Sequence, residues 1–132
     1  MIIQKLLNNK LIEFFLDLID KFKNWRKGYG FIPTSYYSDP KWAIARKVLP
    51  ILECYRMLVV RGDNMSLPQW VLGEMDRKDL THSQLNEIWL ENIDKMILAF
   101  KLILDDKWEY GYEIKIDEGI LLFAKHYQNL WD

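Results

Sequence analysis

The chain has 132 residues, half of them hydrophobic, with six tryptophans and a formal net charge of -1. That composition belongs to an ordered domain rather than a disordered tail, and a chain of this length buries about 70% of its unfolded surface. The balance of 18 basic against 19 acidic residues argues against a general nucleic-acid-coating role, and a single cysteine excludes an internal disulfide.

The first segment, from Ile2 to Trp25, carries Ile3, Leu7, Leu11, Phe14, Leu18, Phe22 and Trp25 on one helical face, broadened by Leu6, Phe15 and Ile19. Lys5, Lys10, Glu13, Asp17 and Asp20 interrupt it regularly, so it is neither a signal peptide nor a membrane span, and the expected setting is a soluble cytoplasmic protein. A face this wide predicts a helix packed on two neighbours in a small bundle. The alternative is an oligomerisation element that forms a dimer contact.

A linker from Arg26 to Ser38 follows, with Gly28, Gly30 and Pro33 as turn residues. Its aromatics, Tyr29, Phe31, Tyr36 and Tyr37, either fold back onto the domain as an ordered loop or line a pocket in which flat rings stack on a flat ligand. Arg26 and Lys27 stand beside them.

The next helix, over residues 39–60, has a sharp start: Asp39 caps it and Pro40 occupies the first helical position, where no N–H is needed. Ala45, Val48, Leu52, Tyr55 and Val59 make a core stripe, while Trp42, Arg46, Leu49, Glu53 and Arg56 form a second, mixed stripe. Pro50 cannot donate to the Arg46 carbonyl and predicts a bend. Residues 60–80 make a long polar connection, in which Leu67 to Met75 is read as a short helix or an arm over the core.

Thr81 and Gln84 spell a capping box, with Leu80 and Leu85 at the positions of a hydrophobic staple. The helix they open runs to about Asp105 on Leu85, Trp89, Asn92, Met96, Phe100 and Ile103, and is predicted to be the most buried of the chain. Asn92 must find a hydrogen-bond partner inside that stripe. Glu113 to Asp117 alternates polar and apolar, and is read as a loop before a last helix over 117–131. In that helix Ile120, Phe123, Tyr127, Leu130 and Trp131 face inward, Gly119 permits a close backbone approach, and His126 faces outward. The predicted fold is all-α: one domain of about four main helices, roughly 2–25, 39–60, 82–105 and 117–131, with long aromatic-rich loops.

No catalytic signature appears. His82 and His126 lack ligand-spaced partners, Cys54 reads as an inert mid-helix thiol, and no nucleophile triad or phosphate-binding loop is present. Asp39, Glu53 and Asp94 show no metal-ligand spacing. The expectation is a non-catalytic protein without cofactor or metal. The candidate ligand-binding set is Trp42, Arg46, Glu53, Arg56, Tyr29, Tyr36, Tyr37 and Arg26: arginines to grip phosphate, rings to hold a base, a carboxylate to take an amino or hydroxyl group. A solvated, ion-paired helix surface is the competing explanation.

The run Asp39-Pro40-x-Trp42-Ala43-Ile44-Ala45-x-x-Val48-Leu49-Pro50-x-Leu52, the run Trp89-x-x-x-Ile93-x-Lys95-Met96-Ile97-x-Ala99-Phe100 and the ending Gly119 to Asp132 resemble a family of small tailed-phage proteins. The resemblance covers residues 25–132 and implies a phage origin, with no assigned activity or site. From a phage origin the leading expectation is a counter-defence binding protein that sequesters a nucleotide-like immune signal. The alternatives are an interaction module that docks on a host or virion protein through the N-terminal helix or the Leu67–Met75 arm, and a small hydrolase or nuclease.

Overall fold

The computed structural model describes residues 1–62, 80–107 and 109–130. The expected Leu67–Met75 arm and the inward Trp131 lie outside these. The fold is all-α. Its helices are α1 (Ile2–Arg26), α2 (Ser35–Ser38), α3 (Pro40–Arg61), α4 (His82–Leu104) and α5 (Tyr110–His126), with a 3-10 turn at Tyr127–Asn129. Among the described residues there is no strand. The contacts divide the chain into two units, Met1–Ala43 and Ile44–Asp132.

In the first unit, α1 ends where Gly28 takes a left-handed conformation, φ 84°. The Gly28 N–H then reaches the Trp25 carbonyl at 3.0 Å and the Tyr29 N–H the Asn24 carbonyl at 3.0 Å, the reciprocal pattern of a Schellman stop. The chain turns back along α1, and polar groups hold it there. The Asp20 carboxylate accepts from the Thr34 amide at 2.6 Å and from the Thr34 hydroxyl. Asn24, the one buried residue of α1, donates to the Ile32 carbonyl at 2.7 Å and accepts from the Tyr37 hydroxyl at 2.8 Å. In the apolar stripe expected to pack on neighbouring helices, Leu18 is half-buried and most of the other side chains are exposed. Leu7, Leu11, Phe14, Phe22 and Trp25 each remain between 55% and 61% exposed.

The second unit holds the core. Ala45, Leu52 and Val59 of α3 are buried with Leu85, Trp89, Ile93, Met96, Ile97, Phe100 and Ile103 of α4, and Val48 and Tyr55 pack against them. The α3 stripe is as the spacing predicted. Pro50 lies inside the continuous helix, on its exposed side. α4 opens on the expected capping box: the Thr81 hydroxyl accepts from the Gln84 amide at 3.2 Å, and the Thr81 amide donates to the Gln84 side chain at 2.8 Å. Asn92 donates to the Ile88 carbonyl at 2.8 Å, which accounts for it structurally.

The last helix begins seven residues earlier than its sequence pattern suggested. Glu109 forms the N-terminal boundary, Glu113 sits in the first turn where a helix favours negative charge, and the residues 113–117 are helical. Gly119 explains how α5 approaches α4: a Cβ there would lie 2.4 Å from the Ala99 Cβ and 2.4 Å from the Lys95 carbonyl oxygen. His126 is corrected from outside to inside. It is 2% exposed, its ring edge-on to Trp89 at 5.6 Å, while Tyr127 is the exposed neighbour. Cys54, expected beside core positions, is exposed.

Candidate functional site

The candidate binding residues fall into the two units, and each group has its own surroundings. Glu53, Arg56 and Met57 stand one turn apart on α3, and Asp94, Ile97, Leu98 and Lys101 run along the neighbouring side of α4. Between them lies an open groove of about 510 Å³. Its charges are matched across the helices. Arg56 Nε donates to Asp94 Oδ1 at 2.5 Å, its second nitrogen reaches Oδ2 at 3.5 Å, and Lys101 Nζ stands 3.8 Å from Glu53 Oε1.

The hydrogen bond to Asp94, and then its charge, hold the Arg56 guanidinium more firmly protonated than usual, against a small opposing effect of burial. A planar guanidinium in this fork geometry is the group that grips phosphate bidentately, but here the fork is already closed on a carboxylate. A phosphate entering the groove must therefore displace Asp94. Arg46 is exposed on α3.

In the first unit, Tyr37 is committed to Asn24 through its hydroxyl and meets Tyr29 edge-on at 5.3 Å. Phe31 meets Phe22 edge-on at 5.2 Å. The aromatic loop is ordered by its own contacts with α1. Tyr36 remains partly exposed, Arg26 lies in the exposed last turn of α1, and Trp42 is half-buried in the first turn of α3 with its amide 3.3 Å from the Asp39 carboxylate. The two Thr34 hydrogen bonds, the hydroxyl's ahead of the amide's, hold the Asp20 carboxyl below the usual carboxylate range.

A second, apolar concavity of about 520 Å³ opens in the second unit, lined by Val48, Ile51, Leu52 and Tyr55 of α3 with Phe123, Tyr127 and Leu130. Burial, and next the charge of Lys125, push the His126 imidazole below its ordinary value. The Trp89 indole donates to the Tyr55 hydroxyl at 3.2 Å, so this polar pair is satisfied inside the core. Among the described residues no group of three or more His, Cys, Asp or Glu side chains is arranged to hold a metal ion. Also among them, no helix is long and apolar enough to cross a membrane.

Sequence reasoning overlooked the groups that organise the first unit. Asp20 and Asn24 stand four residues apart on the polar edge of α1, and that spacing was the available signal. The pairing of Arg56 with Asp94, 38 residues apart, left no local trace. Compared with known proteins, the chain matches no family model, no curated protein and no solved structure.

Proposed function

We propose that the protein is a non-catalytic interaction module whose working surface is the apolar face of α1, with the unit of residues 44–132 as its folded body. One observation carries this reading. Ile3, Leu7, Leu11, Phe14, Phe22 and Trp25 lie along one apolar stripe of a 25-residue helix, each more than half exposed, with Leu18 half-buried between Phe14 and Phe22. Soluble monomers rarely present contiguous apolar patches of more than a few hundred Å², and such patches mark contact surfaces. The resemblance to small tailed-phage proteins supports a setting in an infected cell, where a binding protein of this size acts by covering another molecule.

The test is co-purification with the full tagged chain beside a Leu11→Glu, Phe14→Glu variant. Any stoichiometric complex, with itself or with another protein, is expected to disappear in the variant. A complex that survives both charges overturns the reading.

A second reading has its own support in the α3–α4 groove, whose volume lies within the 300–1,000 Å³ range of small-ligand sites. It takes a nucleotide-like ligand, with Arg56 and Lys101 turning from their carboxylates to its phosphates. Calorimetry against cyclic and ADP-ribose-type nucleotides tests it. Binding is expected to be lost on Arg56→Ala, and no binding by the panel contradicts it.

A further inference from the structure

The stripe on α1 has a symmetry of its own. Ile3, Leu7, Leu11, Phe14, Leu18 and Phe22 follow one another at steps of four, four, three, four and four residues, a spacing that reads the same in both directions. At about 100° per residue they occupy an arc of roughly 100°, a single seam along the helix. We propose that this seam pairs with the same seam of a second copy of the chain, antiparallel, about a two-fold axis between residues 12 and 13; the proposal rests on the reading of α1 as the contact surface.

In that register Ile3 lies against Phe22 of the second copy, Leu7 against its Leu18 and Leu11 against its Phe14. The axis then generates the same layers in reverse, as an isologous interface requires. Two of the three kinds of layer set an aromatic ring against an aliphatic side chain, so bulk is spread evenly along the seam.

Charge selects the antiparallel arrangement. Lys10 and Asp17 flank the same edge of the seam, and in an antiparallel pair like edges meet, so each Lys10 faces Asp17 of the other copy. A parallel pair would set the Lys10–Asp17 edge against the opposite edge, where Gln4, Asn8 and Phe15 offer it no charge. Asp17 already holds Lys21 at 2.8 Å, and its carboxylate has acceptor capacity for a second cation. The loop that binds back on α1 does so along the Asp20–Asn24 edge, and Phe22 remains 55% exposed beside Phe31. Ile3, Leu7, Leu11, Phe14 and Phe22 of the seam are thus exposed, with Leu18 half-buried among them. An anionic lipid surface fits less well. α1 as a whole carries Lys5, Lys10, Lys21, Lys23 and Arg26 against Glu13, Asp17 and Asp20. That is a mixed polar face with the acidic Glu13 and Asp17 nearest its middle, whereas helices that lie on such membranes carry a mainly basic one.

Full-length chains with Cys54→Ser test the register. Ile3→Cys and Phe22→Cys proteins, mixed and mildly oxidised, are expected to give a mixed disulfide dimer, while each alone gives none, since residue 3 of one copy lies about 28 Å from residue 3 of the other. Light scattering is expected to show a dimer that Leu11→Glu weakens by at least about tenfold, because symmetry places the new charge twice beside the axis. Far-UV circular dichroism confirms that the variant stays folded. Self-cross-linking of Ile3→Cys, or a dimer without the mixed disulfide, overturns the antiparallel register. A monomer that instead captures a different protein or a vesicle through α1 overturns self-pairing and leaves α1 as the contact surface. A dimer indifferent to Leu11→Glu overturns both.

Discussion

Gly119 and His126 show how much a single position decides in this fold. With the Ala99 Cβ and the Lys95 carbonyl oxygen both 2.4 Å from where its Cβ would stand, Gly119→Ala forces α4 and α5 apart. A loss of about 1–3 kcal/mol, the range for overpacking a tight core, is expected in chemical denaturation. His126 is buried against Trp89 and held neutral by burial. An unfolded histidine titrates near 6.5, so its contribution to stability is complete above that pH and is lost as the pH falls through the depressed folded value. Melting temperature is therefore expected to fall as the pH drops below about 6.5, and His126→Gln should flatten that dependence. A melting curve equally steep in the variant would contradict the assignment. Gly119 was legible in the sequence as a close-approach residue. His126 was not, because the inward face depends on where α5 starts and ends, and one residue of drift moves Tyr127 inward and His126 outward.

At the scale of elements, local chemistry was readable and tertiary chemistry was not. Asp39-Pro40 and Thr81-x-x-Gln84 mark helix starts through atoms within four residues, and both caps form as expected. Thr81→Ala removes the acceptor for the Gln84 amide, and a loss of about 1 kcal/mol is expected in thermal or urea unfolding. The start of α5 at Tyr110 was missed because Gly111 and the alternation from Glu113 to Asp117 argue locally against a helix. Burial of Ile116, Gly119 and Ile120 against α4 outweighs that weak preference. The candidate ligand residues suffered from the same limit. Their chemistry was visible, but the Asp94 carboxylate that closes on Arg56 and the Asn24 amide that anchors Tyr37 became visible only once helices and loop were placed.

At the scale of the molecule, the two units have opposite characters. Residues 44–132 enclose a core in which Trp89, Leu85, Ile93 and Met96 are fully buried. α1, by contrast, buries only the polar Asn24 and turns its largest apolar side chains outward. A helix gains most of its stability from packing its apolar face, and the exposed face of this 25-residue amphipathic helix is the surface we propose for a partner. This is the central claim, and hydrogen exchange read along α1 tests it most directly. In the assembled state the amides of residues 6–19 are expected to be protected, and Leu11→Glu with Phe14→Glu is expected to return them to rapid exchange while α4 amides stay protected. Rapid exchange of α1 in every assembly the protein forms would contradict the account.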